Sequence, residues 1–319
     1  MKGNDRRLRE RPLLTTVCDS VEDFSPEANS TYVFATTGEF RSAHSESWEE
    51  SAKATYVRFS RVIAVSSSTF TVEMEDRTEE VALRSSRQLG SLWESWGSGV
   101  VYLDITGLPH HVWAPLLRVG IANCRRLIVT YVEPGDYRFS QTPTEGEIFD
   151  LSEKIAGISA IPGFATLADE GEDRSCFIPL LGFEGTRLAY LLEHVQPPGG
   201  KIVPVVGVPG FRPEYPFHTY IGNRSALTET HAWRNIRLAI ANCPFSLFYL
   251  LEDISEEYPE DFLKIAPIGT KPHALGAILF AVTSSRSVEI VYDHPVRKPS
   301  RTEGTARLLA YDVSGFVRS

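Results

Sequence analysis

The chain has 319 residues, 42% hydrophobic and 23% charged, enough apolar material for two packed cores and too much for wholesale disorder. A net charge of −9 argues against a broad nucleic-acid footprint, which needs a basic face, and leaves room for a local basic pocket. The cysteines Cys18, Cys124, Cys176 and Cys243 form no CxxC pair, no apolar stretch reaches membrane-spanning length, and Met1 to Arg11 is charged where a signal peptide is apolar. A cytoplasmic protein with reduced thiols and no membrane contact is expected.

Residues 1–28 read as a basic N-terminal arm, either a partly ordered edge segment or a contact for an acidic partner. Thr31 to Ala35 predicts a buried strand with Thr36-Thr37-Gly38-Glu39 as its turn, and β-rich segments follow over 55–65 and 69–74. Apolar spacing over Glu80 to Trp96 predicts a helix. Val100 to Ile105 is a strand, Thr106-Gly107-Leu108-Pro109-His110 its turn and Val112 to Ala122 a helix. Arg126 to Val132 is then a strand closed by Glu133-Pro134-Gly135. Strand, turn, helix and strand in so few residues make a βαβ unit, the building block of parallel sheets. Residues 29–140 form the expected first half, and 141–173 an irregular connector rich in Thr, Pro, Gly and acidic residues.

The second half, 174–319, opens with the strand Cys176 to Leu181, which meets the turn Gly182-Phe183-Glu184-Gly185 and a helix over Leu188 to Val195. The strand Ile202 to Val206 leads into 207–223, which reads as a loop of the long, functional kind, with Arg212 and His218. Thr228 to Cys243 and Phe245 to Ile254 read as helices. A buried strand ends at Ile268, and Gly269-Thr270-Lys271-Pro272-His273 then opens the apolar helix Ala274 to Val282. Val288 to Tyr292 and Leu308 to Val313 close the half as strands, joined by a basic connection with Arg297, Lys298, Arg301 and Arg307.

The turns 106–110 and 269–273 echo each other, each between a strand and a helix. The implied fold is α/β: two Rossmann-like halves with mostly parallel sheets, pseudo-duplicated. A second likeness, Arg118 to Cys124 against Arg237 to Cys243, falls out of that register and reads as two similar helices. Ligands of open α/β sheets settle outside the carboxyl ends of the strands. Thr37 and Gly38, Asp104 with Thr106 and Gly107, Glu184 and Gly185, and Gly269 with Thr270 would bring four turns to one rim around a nucleotide-type anion. Lys271 at a helix start suits a phosphate oxygen, or is a solvated surface lysine. Thr106 and Thr270 donate hydroxyls to a phosphate or cap their helices. Asp104 and Glu184 accept from a ribose hydroxyl or brace their turns. His273 is a ligand contact or proton donor.

His110, His111, His218, His273 and His294 show no metal-ligand spacing, and no nucleophile elbow, GxGxxG or Walker loop occurs, so the routine NAD and ATP folds lose their main argument and the cofactor is left open.

With Asp104-Ile105-Thr106-Gly107 and Gly269-Thr270-Lys271 at matching places, the layout over residues 31–295 resembles the CARF and SAVED sensor domains of prokaryotic immunity. The resemblance implies a sensor of cyclic oligonucleotides in antiviral defence. With no nuclease, TIR or membrane effector recognisable here, it also implies that output passes to a protein effector or complex partner, or comes from the sensor itself. Leu108 stands where the second turn has Lys271, a departure that leaves one of the paired turns without a cation. Two other readings stand beside it. One is an enzyme cleaving a nucleotide phosphodiester or N-glycosidic bond, with His110 or His273 as acid/base. The other is a structural subunit using the aromatic stretch Phe211 to Tyr220 as an interface.

Overall fold

Four short segments with few charged residues, Thr31–Phe34, Val100–Asp104, Ser175–Leu180 and Phe262–Pro267, are buried almost end to end. Strands covered on both faces need this kind of sequence. The computed structural model describes residues 14–97, 99–124, 126–144, 147–149, 151–166, 174–298 and 301–318. The chain runs through β1 (Thr15–Cys18), β2 (Thr31–Phe34), α1 (Glu46–Ala54), β3 (Arg58–Val65), β4 (Thr69–Glu73) and β5 (Thr78–Ala82). It continues with α2 (Ser86–Trp96), β6 (Val100–Asp104), α3 (His110–Asn123) and β7 (Arg126–Tyr137). The connector holds β8 (Phe139–Thr144), β9 (Glu147–Phe149), β10 (Ser152–Ile155) and β11 (Ser159–Ala160). Next come β12 (Ser175–Leu180), α4 (Gly185–Val195), β13 (Val205–Gly207), α5 (Tyr215–Glu229), β14 (Arg237–Ala239), α6 (Pro244–Glu257) and β15 (Phe262–Pro267). The chain closes with α7 (Lys271–Thr283), β16 (Val288–Tyr292), β17 (Pro295–Arg297), β18 (Thr302–Asp312) and α8 (Val313–Val317).

The result is a mixed α/β molecule with two large sheets. The first has the order β1-β18-β7-β6-β2-β3-β4-β5 and is parallel from β7 to β3. The second has the order β11-β16-β15-β12-β13-β14 and is parallel from β16 to β14. Apart from the edge strands β1 and β11, the chain enters each sheet at an inner strand, β2 or β12, moves outward on one side and then crosses to the other. Each sheet therefore has one point where strand order reverses, between β2 and β6 in the first and between β12 and β15 in the second.

Side-chain alternation assigns the helices to faces. Along β12, Cys176, Ile178 and Leu180 join the core of α6 and α7, while Phe177 and Leu181 join that of α4 and α5. Along β2, Val33 and Ala35 pack with α2 and α3, and Tyr32 and Phe34 with Trp48 and Ala52 of α1. One core runs continuously through both sheets, with α3 against α7. Helix α7 is buried at every position from Pro272 to Phe280, as a helix apolar all round must be. Its first turn is thereby pressed toward the first half.

Several expectations are corrected. The stretch Glu80 to Trp96 divides into β5 and α2, with Ser85 accepting from Gln88 N as the helix cap. Residues 215–223, expected as loop, begin α5, with Pro216 in its first turn. Thr228 to Cys243 is the end of α5, a 3-10 turn at Ala232–Asn235 and β14. Strand β7 continues through Glu133, Pro134 and Gly135 because β18 pairs beside it as far as Tyr137. The final strand thus returns to the first sheet instead of closing the second. Thr15–Cys18, expected in the arm, is an edge strand on β18. The rest of the basic arm before residue 14, and 167–173 of the connector, lie outside the described residues.

Candidate functional site

A pocket opens at the carboxyl ends of β12, β13, β14 and β15, where the second sheet reverses its strand order; its empty space, open solvent at the mouth included, is about 620 Å³. Its floor is Leu181, Gly182, Phe183 and Glu184 after β12, Gly207 and Gly210 after β13, Ala241 after β14, and Ile268, Gly269 and Thr270 after β15. The turns after β12 and β15 cross backbone on backbone. A Cβ on Gly182 would lie 2.6 Å from the Ile268 carbonyl oxygen, and one on Gly269 would lie 2.4 Å from that of Leu181. The opposite wall comes from β7 (Tyr137), the connector (Leu151), Arg297 of β17 and Arg301, with Phe211, Tyr215 and Thr219 at the side. Pairing of β10 with β17 places Ser152 opposite Arg297. Glu184 fastens that ribbon down, accepting from Leu151 N (3.1 Å) and Ser152 Oγ (2.9 Å).

Three arginines meet this space in different states. Arg187 donates from Nε and Nη2 to the two Asp293 oxygens, both at 2.6 Å, and from Nη1 to the Ile268 carbonyl at 2.8 Å. Burial opposes both charges, yet the pairing holds the Asp293 carboxyl below its ordinary range and Arg187 above its own. Arg187 is structural in this state. Among the described residues Arg297 has only Ser152 Oγ at 3.2 Å and Glu184 Oε2 at 3.6 Å. Burial, together with the like charges of Arg187 and Arg301, pushes it down to about 10. Arg301 donates from Nε to Glu39 Oε1 at 2.6 Å. Positive charge therefore crowds the pocket around Arg297. Aromatic rings make up another part of the wall, with Phe183 stacked on Phe149 at 4.5 Å and edge-on to Tyr215 at 5.1 Å and Tyr137 at 5.3 Å. The arrangement can receive an anionic group at the arginines and a planar or apolar body against the rings.

Of the residues singled out in the sequence, Glu184, Gly269 and Thr270 line this pocket. Thr270 also caps α7, accepting from His273 N, and donates to the Ala241 carbonyl at 2.8 Å. Lys271 points elsewhere. Its Nζ donates to the carbonyl oxygens of Ile105 (2.5 Å), Thr106 (2.7 Å) and Leu108 (2.8 Å), closing the second-half turn onto the first-half turn. Burial, then Arg41, holds its pKa well below the ordinary lysine range. Asp104 braces its own turn, accepting from Thr106 N at 2.8 Å and Tyr32 Oη at 3.3 Å, and Thr106 Oγ1 accepts from Val132 N. Gly107 is pressed on β2, where a Cβ would sit 1.8 Å from the Ala35 carbonyl oxygen. Gly185 plays the same part between α4 and α5, its Cβ position 1.8 Å from the Gly222 carbonyl oxygen. Thr37 and Gly38 are exposed, and Thr37 Oγ1 lies 2.9 Å from Ser42 Oγ.

The two candidate acid/base histidines are enclosed. His273 Nε2 lies 3.1 Å from the Ile240 carbonyl, and burial pushes its pKa down to about 4. His110 Nδ1 lies 3.1 Å from Tyr292 Oη, and burial, then Lys271, holds its pKa well below the ordinary value. Sequence reading did not single out Arg187, Tyr137 or Tyr215. The basic connection after β16 was the one available signal for Arg297 and Arg301. Among the described residues no group of three or more His, Cys, Asp or Glu could hold a metal ion, and no helix is long and apolar enough to cross a membrane. No family model, no curated protein and no solved structure matches this chain.

Proposed function

We propose that the chain is a nucleotide or cyclic-oligonucleotide sensor of the CARF and SAVED kind. In this reading two Rossmann-like halves are fused, the second holds the ligand, and occupancy is passed to a protein partner in a prokaryotic defence system. The observation that carries the reading is the arginine-lined, aromatic-walled pocket outside the carboxyl ends of β12 and β15, at the reversal of strand order. Nucleotides present a phosphate and a flat base, and arginine forks with aromatic faces are the groups that recognise them. The enclosure of His110 and His273 gives the hydrolase reading no accessible acid/base among the residues it named.

The test is a panel of mononucleotides, dinucleotides, cyclic oligonucleotides and inorganic pyrophosphate, followed by melting temperature and by product formation. A melting shift without product is expected, and Arg297→Ala should weaken binding of the active compound by about ten-fold or more. Product formation would favour an enzyme, and no shift with any compound would overturn the reading.

A further inference from the structure

Arg301 belongs to the pocket, but what aims it belongs to the other half of the molecule. Glu39 follows β2 in the first half, and its side chain is 12% exposed, against 11% for Arg301. Its carboxylate is fully engaged. Oε1 accepts from Arg301 Nε at 2.6 Å, while Oε2 accepts from Arg41 Nε at 2.7 Å and from Thr302 Oγ1 at 3.1 Å. Arg41 is itself anchored, donating from Nη1 to the Val132 carbonyl at 2.8 Å. Glu39 is thus a fixed acceptor that grips the guanidinium by its inner nitrogen. The two outer nitrogens of Arg301 take no acceptor among the described residues, although the side chain lines the pocket beside Arg297. A guanidinium held this way presents the donor fork that suits a phosphate.

We infer that Glu39 is a positioning residue for a phosphate seat made by Arg297 and Arg301, so that the pocket is completed by the first half. This rests on the nucleotide-site reading above. Removing a carboxylate from beside an anion site tightens binding if only charge matters, and loosens it if the carboxylate holds the arginine in place.

Titration calorimetry with inorganic pyrophosphate on the full chain tests this. Arg301→Ala and Glu39→Ala should each weaken binding by about ten-fold. Glu39→Gln, which keeps an acceptor, should stay within about three-fold of the parent, and the double variant should bind no more weakly than Arg301→Ala alone. If Glu39→Ala does not fold, Glu39→Asp, which retracts the acceptor, should weaken binding by about three-fold. Binding that is unchanged or tighter in Glu39→Ala, or in Glu39→Asp where Ala does not fold, would overturn the inference and leave the pocket reading intact. A parent that ignores pyrophosphate but responds to a nucleotide would also overturn it. A parent silent to both would remove the seat and the nucleotide reading together.

Discussion

The two places where strand order reverses each lie between parallel strands followed by closely packed glycine turns, and they have opposite fates. Between β2 and β6 the crevice is filled. Gly107 lies on the Ala35 carbonyl, Ser42 packs beside it, and Lys271 arrives from the other half to take three carbonyls of the 105–108 turn. Between β12 and β15 the glycine turns cross just as closely, but the wall facing them stands off, and a pocket lined by Arg297 and Arg301 remains open. A site at a strand-order reversal is decided by what other segments insert there, more than by the turns themselves.

The largest effect is expected at Gly107. Gly107→Ala has no room for its Cβ and should cost about 4 kcal/mol or abolish folding, whereas Gly38→Ala in the adjacent turn meets nothing within 4 Å and should stay within about 0.5 kcal/mol. Denaturant titration of both variants checks this, and equal stabilities would mean the first crevice is not sealed at Gly107. Lys271→Met is next. It leaves three carbonyls without their donor and should cost about 3 kcal/mol. A variant of undiminished stability that loses only nucleotide binding would return the lysine to the ligand.

The third effect is one of pH. His273 is held neutral by burial, with its pKa pushed from 6.5 to about 4, so the unfolded chain takes up a proton first as pH falls. Its share of stability is complete above pH 6.5, is lost on the way to pH 4, and amounts to about 3 kcal/mol. Glu39, pushed from 4.5 to about 2 by Arg41 and Arg301 against the cost of burial, loses its share in the lower window. Unfolding titrations across both windows would show these losses, and His273→Gln should make the upper one shallower, leaving the part that belongs to the buried His110. The smallest effect sharpens the other crevice. Arg297→Ala removes a crowded cation and should change stability by less than about 1 kcal/mol, because its partners are a hydroxyl and a carboxylate at 3.6 Å. A large loss would make Arg297 structural, like Arg187.

Legibility followed burial. The strands β2, β6, β12 and β15 could be read because strands covered on both faces need apolar runs. Helix α5 could not, since between Tyr215 and Leu227 its inward face carries only the small or polar residues Thr219, Gly222, Asn223 and Ala226, while Phe217 and Ile221 face solvent. Gly222 is there because α4 and α5 cross at backbone contact, and glycine gives no hydrophobic period. The arginines of the pocket were hidden for a different reason. Arg187, Arg297 and Arg301 lie on a helix, a strand and a connection, and only the return of the chain through β17 brings them together.

What the amino-acid order determined by itself was the set of buried parallel strands and the small-residue turns at their ends, because both are local consequences of side-chain size and polarity. The heptapeptides Arg118 to Cys124 and Arg237 to Cys243 mark the limit. The first ends helix α3, with Gly120 tucked beneath Trp93, and the second supplies strand β14 against Val205 to Gly207 of β13. Near-identical local preference yields a helix in one place and a strand in the other because the neighbouring backbone offers different partners. The same rule governs Lys271, whose helix-start position was legible but whose three acceptors exist only once α7 is pressed against α3.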